Sequence, residues 1–289
     1  MHAEPIPSLA ATADTQFIES RGRRLAYRSF GSGQPIVLCL RFRGTMDEWD
    51  PLFLDTLAAC GLRVVIFDYS GLGRSGGEPT YQPMSLAQDA VDLIEALDLH
   101  GVAIGGWSIG GVAAQIVLTM FPQRIRHAVL IGTTPPGKLV KLAEPLFFET
   151  AGKEFNTAED NVVLFFEPQS PTSRAESAAS LQRMAARRDP GPKVDGRWAR
   201  EWISGGPRNP VFPSEAVLEG LKTTSIPMLH IGGDHDIIFP VENWYALNQQ
   251  IPNLQLLTFP SAGHGPQHQY AVASAEYIAI FLRTAKPAA

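Results

Sequence analysis

Val102-Ala103-Ile104-Gly105-Gly106-Trp107-Ser108-Ile109-Gly110-Gly111 reads as a short apolar strand, a turn with glycine on both sides, and one serine at its tip. A helix begins at once with Gly111-Val112-Ala113-Ala114-Gln115. Gly106-Trp107-Ser108-Ile109-Gly110 is a G-x-S-x-G pattern in the strand–turn–helix context that gives it chemical meaning. The serine must stand on a sharp corner with its hydroxyl exposed. Its backbone is then strained, and flanking glycines let neighbouring chain pass close by. The Ile109 N–H at the helix start points where an oxyanion would form.

Outward from this corner, strands and helices alternate. Residues 15–19 and 25–30 read as an antiparallel hairpin at a sheet edge, after a loose tail over 1–14. Residues 35–40 are continuously apolar, as an interior parallel strand is, 63–68 reads as the next buried strand and 127–132 as another strand. Helices are expected over 51–60, over 85–97 with Ser85 as cap, and over 111–120. The rhythm breaks at Thr133-Thr134-Pro135-Pro136-Gly137 and returns with a strand at 227–231. A helix is then expected over 241–250, a strand over 254–259 and a last helix over 271–282. Between the two halves no buried strand pattern occurs. Thr157 caps one helical stretch there, and Ser173 with Glu176 forms a capping box for another reaching Arg188. A short helix starts at Ser214. The expected organisation is an α/β core over 1–134 and 223–289, with an insertion over 135–222 covering the carboxyl edge of the sheet.

The composition fits this. In 289 residues, 45% apolar and 18% charged residues describe a globular chain with room for a full core. A net charge of −5 makes no case for nucleic acid or an anionic membrane surface. The longest apolar runs are strand-length, so no stable membrane insertion is expected. Met1-His2-Ala3-Glu4-Pro5 starts no signal peptide, and a cytoplasmic monomer or homodimer is expected. Cys39 and Cys60 are too few for a disulfide framework and read as buried small hydrophobes.

A serine hydroxyl needs an adjacent base, and that base is best a histidine held by a carboxylate. In an open parallel sheet these groups sit at the carboxyl ends of strands. Gly232-Gly233-Asp234-His235-Asp236 follows one late strand, and Ser261-Ala262-Gly263-His264-Gly265 follows the next. His264 is therefore the candidate base. Asp236 is the favoured acid, because Ile237-Ile238-Phe239-Pro240 can anchor its loop, and Asp234 is the alternative. His230 and His235 read as packing and surface groups, and no metal site is expected.

With these residues the chain resembles the α/β-hydrolase fold superfamily in its lidded form. The resemblance implies a mostly parallel eight-stranded sheet with helices on both faces, and it makes residues 135–222 a helical lid. It matches Ser108 to the nucleophile, Asp236 to the acid and His264 to the base. The loop from Asp68 to Ser75 matches a structural turn of the family. One run departs from the pattern: Leu40 and Arg41 stand where histidine and glycine are usual. Phe42 keeps the position that donates the second oxyanion N–H.

A serine hydrolase acting on an ester or lactone of a small apolar or aromatic substrate is the expected activity, with no metal or organic cofactor. Carbon–carbon bond hydrolysis, peroxyacid formation and proline-directed peptide cleavage use the same three residues, and a non-enzymatic small-molecule receptor is the other class. Trp107, Phe147, Phe166, Trp198 and Trp202 are expected to line the pocket, with Arg41 at its mouth, and Phe148 and Phe165 add to the lid aromatics that suggest an apolar or aromatic acyl pocket. Specificity should then rise with acyl apolarity, and a charged acyl group should be poor unless Arg41 or Arg43 turns inward.

Overall fold

The computed structural model describes residues 8–205 and 214–286. The apolar runs become strands for the expected reason: each must bury both faces. The strands are β1 (Gln16–Ser20), β2 (Arg23–Gly31), β3 (Gln34–Cys39), β4 (Leu62–Phe67), β5 (Val102–Trp107), β6 (Ile125–Ile131), β7 (Met228–Gly233) and β8 (Leu254–Phe259). They form one sheet in the order β1-β2-β4-β3-β5-β6-β7-β8. β1 and β2 pair antiparallel, as do β2 and β4, and the other pairs are parallel. Every residue of β5 and of β7 is buried. Each large aliphatic side chain so buried contributes about 1.5–3 kcal/mol, which is why these central strands carry no polar alternation.

The helices are α1 (Leu9–Thr12), α2 (Pro51–Ala59), α3 (Pro83–Ala96), α4 (Ile109–Met120), α5 (Pro145–Ala151), α6 (Ala158–Phe165), α7 (Pro171–Ala185), α8 (Gly196–Gly205), α9 (Ser214–Thr223), α10 (Glu242–Tyr245), α11 (Pro266–Gln269) and α12 (Ala271–Thr284). α2 packs with α12, and α4 packs with α3 and α9, so both faces of the sheet are covered. α5 to α9 form a helical insertion between β6 and β7.

Several local expectations are corrected. α3 starts at Pro83, not after Ser85, because proline at the first helical position has no N–H to leave unpaired. α7 is capped by Ser170, with Pro171 at its start, and it ends at Ala185 rather than Arg188. Ser173 is turned elsewhere: its hydroxyl accepts from Glu167 N–H (2.8 Å) and donates to Gln269 Oε1 (2.6 Å). α10 is a single turn, and Gln249 beyond it has φ +67°, which no continuing right-handed helix allows. Residues 8–14 of the expected tail are held. Ala10 is buried, its N–H reaches Asp55, and the Arg187 guanidinium takes the carbonyls of Ala10 and Ala13. Residues 1–7 of that tail, and 206–213 of the expected lid, lie outside the described residues. Cys39 is buried as expected, whereas Cys60 is half-buried at the end of α2.

Candidate active site

The pairing register brings the strand ends to one place. Gly106 lies beside Cys39 of β3 and Leu130 of β6, and Trp107 lies beside Ile131. The chain then turns sharply into α4. Ser108 has φ +61° and ψ −127°, a conformation that costs a non-glycine residue about 1–3 kcal/mol. Its surroundings enforce it: Ser108 N–H donates to Ile131 O (3.0 Å), and Thr133 Oγ1 donates to Ser108 O (2.6 Å). Glycine is required on both sides. A Cβ on Gly106 would overlap the Gly110 carbonyl, and one on Gly110 would overlap the Cys39 carbonyl.

His264 lies in the loop between β8 and α11, buried, with Nδ1 2.8 Å from Asp236 Oδ2. The other Asp236 oxygen accepts the N–H groups of Ile238 and Phe239, both at 2.9 Å. Burial alone would push the Asp236 carboxyl up. The His264 ring and the two backbone donors outweigh it and hold the carboxylate below its ordinary range. A carboxylate only accepts, so Nδ1 carries the proton and Nε2 presents a lone pair. Asp234 faces away: its side chain is 38% exposed and bonds His235 and, at 3.3 Å, Ala262 N–H. His230 is buried against Trp244, and burial lowers its pKa to about 3.

Ser108 and His264 line one cavity of about 420 Å³. Among the described residues, no hydrogen bond joins their side chains. A nucleophile–base contact is often long without substrate and tightens in the reacting complex. The N–H groups of Phe42 and Ile109 have no acceptor among the described residues. Phe42 is a lining residue of the cavity.

Of the six side chains expected to line this cavity, Arg41 and Phe147 do so. Trp107 is buried outside the lining, where Nε1 donates to His264 O (2.6 Å). Trp198 and Trp202 pack against Tyr81 instead, tilted and edge-on, with ring centres 5.3 and 6.0 Å away. Phe166 is buried with its carbonyl against Gly263. Phe165, one of the lid aromatics noted in the sequence, lines the cavity, and Phe155 and Leu164, which were not noted, complete the apolar wall.

Two contributors, Tyr81 and Gly132, had no signal as site residues in the sequence reading, and Asp68 was read only as the start of a structural turn. Tyr81 is buried and its hydroxyl accepts the Arg43 N–H (2.7 Å), pinning a residue with φ +60° next to Phe42. Gly132 passes so close to His264 that a Cβ there would stand 2.6 Å from the His264 carbonyl oxygen. Asp68 accepts from Met46 N–H (2.7 Å) and Arg74 N–H (2.9 Å), joining the glycine-rich turn to the loop after β3. Burial raises its pKa to about 6.

The family model described as alpha/beta hydrolase fold matches residues 34–270, most of the chain. The chain belongs to the alpha/beta hydrolase fold family. It is 29% identical over 253 residues to a non-heme chloroperoxidase of Kitasatospora aureofaciens, covering 84% of this chain and 90% of that one. A putative non-heme bromoperoxidase of Mycobacterium tuberculosis is 25% identical over 252 residues, covering 83% and 90%. An alpha/beta hydrolase fold protein from Chitinophaga pinensis superposes with a TM-score of 0.79 at 30% identity, over 95% of this chain and 99% of that one. Membership makes the chain a hydrolytic enzyme for small organic substrates. Among the described residues, no helix is long and apolar enough to cross a membrane.

Proposed function

We propose that this enzyme cleaves a carboxylic ester or lactone through an acyl-enzyme on Ser108. The observation that carries the reading is the 2.8 Å contact of His264 Nδ1 with buried Asp236, beside a cavity that His264 shares with the strained Ser108. Ser108 Oγ attacks the carbonyl carbon while His264 Nε2 takes its proton. The N–H groups of Ile109 and Phe42 hold the oxyanion. His264 returns the proton to the leaving alkoxide. Water, activated by the same ring, then releases the acid. Asp236 keeps the ring in the productive tautomer throughout. Residues 135–222 act as the lid, since Phe147, Phe155, Leu164 and Phe165 from this stretch wall the cavity.

The test is hydrolysis of phenyl butyrate and a medium-ring lactone by wild type and folded Ser108→Ala. Near-normal turnover by Ser108→Ala would remove the mechanism. A second reading rests on the names of the two curated relatives. In it, hydrogen peroxide replaces water in the second step and releases a peroxyacid. Peroxyacetic acid formed from acetate and peroxide, outpacing ester hydrolysis, would favour it.

A further inference from the structure

The cavity beside Ser108 is lined by three cationic side chains, Arg41, Arg43 and Lys193, and by two carboxylates, Glu48 and Glu154. That is an excess of positive charge in a chain whose net charge is −5. Both carboxylates are already engaged. Glu48 accepts from Arg41 Nη2 (2.9 Å), and Glu154 accepts from Arg197 Nε (3.0 Å).

The cations are not matched in the same way. Arg43 places its guanidinium on the backbone carbonyls of Ala151, Lys153 and Glu154. Asp195 is the acid whose field reaches it, yet the two form no ion pair. Lys193 makes no ion pair or hydrogen bond to any described residue. Arg41 is 91% buried, bonds the Phe42 carbonyl and Glu48, and leaves its Nε without a partner. Its guanidinium carbon lies 4.4 Å from the Phe165 ring centre. Taking a guanidinium out of water costs several kcal/mol unless opposite charge and hydrogen bonds offset it, and here the offset is incomplete. Arg41 and Arg43 flank Phe42, the residue whose N–H faces the reacting carbonyl in the mechanism above.

We propose that the substrate carries a carboxylate on its acyl part, held by Arg41, Arg43 and Lys193 while Ser108 attacks the ester carbonyl. The proposal rests on the ester reading and narrows it to monoesters of dicarboxylic acids, or lactones bearing a free acid. An anchor on the acyl part acts in both half-reactions, whereas one on the alcohol leaves after the first. The reaction balances as ordinary hydrolysis. Ser108 Oγ bonds the acyl carbon as the carbon–alkoxide bond breaks, His264 passes its proton to the alkoxide, and water restores the serine.

The experiment compares monoethyl adipate with its neutral carboxamide, which has the same length and leaving group. Ethanol release gives kcat/KM for each. The expected ratio favours the carboxylate by at least about tenfold, the effect of one charge-assisted hydrogen bond. It should fall toward one in Lys193→Gln and in Arg43→Gln. The ratio is taken within one protein preparation, so a reduced folded fraction cancels. A wild-type ratio at or below one overturns the proposal, and so does a ratio unchanged in both variants. Where neither ester turns over, the ester reading has failed separately. The carboxylate site is then read by thermal shift with adipate against adipamide: a larger rise with adipate supports it, and equal shifts overturn it.

Discussion

Asp236→Asn changes one buried atom and asks whether the tautomer of His264 controls turnover. The replacement is isosteric. If its oxygen keeps the N–H groups of Ile238 and Phe239 (2.9 Å each), its NH₂ faces His264 Nδ1 at 2.8 Å. An amide NH₂ only donates, so Nδ1 must accept and the ring proton moves to Nε2. Nε2 then has no lone pair for the Ser108 proton. The flipped amide would preserve the tautomer but orphan two buried N–H groups, at about 1–3 kcal/mol each, so the unflipped form wins. The expected loss is on the order of 10⁴ in kcat, or roughly 5 kcal/mol of transition-state stabilisation. Asp234→Asn, at an exposed side chain, should stay within about threefold of wild type. The assay is kcat and kcat/KM on phenyl butyrate, with a thermal melt to show that both variants fold. A folded Asp236→Asn enzyme keeping more than about a tenth of wild-type kcat would refute the reasoning. So would a ranking in which Asp234→Asn is the slower.

Ser108→Gly should abolish ester hydrolysis yet raise stability by about 1 kcal/mol in denaturant melts, because glycine accepts φ +61° without strain. Gly110→Ala should fail to give soluble folded protein, since its Cβ would overlap the Cys39 carbonyl, a backbone atom that cannot swing aside; a normal melt would contradict the close packing. His230 and His268 are buried with pKa values lowered to about 3 and about 4. The unfolded chain, near the ordinary 6.5, binds protons before the folded one does. Stability should therefore be full above pH 6.5 and decline as pH falls toward 4, with each histidine contributing up to about 1.4 kcal/mol per pH unit. His230→Phe should flatten that slope between pH 6 and 4, measured by urea titration.

The sheet was legible because β3, β4, β5, β6 and β7 are nearly unbroken apolar runs, which have few other ways to be buried. The positions of Ser108, Asp236 and His264 at strand ends followed from chain order and loop composition. Helix starts were less legible where two rules competed: Ser85 and Ser173 looked like caps, but Pro83 and Pro171 set the first turns. The pocket wall was misread for a different reason. Apolar side chains in the insertion can meet the cavity or one another, and composition does not separate the two. Trp198 and Trp202 found Tyr81, whereas Phe155 and Phe165 found the cavity. Arg41 and Arg43 line that cavity as well, which is the condition under which a charged acyl group was expected to be accepted.

Gly265 donates its N–H to the Phe165 carbonyl (2.7 Å), and Gly263 lies so close to Phe166 that a Cβ there would overlap its backbone. The insertion and the histidine loop are therefore cut to each other's shape. Exchange of such insertions between relatives, in the laboratory or by recombination, cannot treat the insertion as a free cassette. A foreign segment that presents its backbone even one residue out of phase would displace the loop holding His264. The smallest unit that can travel intact is two pieces far apart in sequence, the insertion together with residues 260–269.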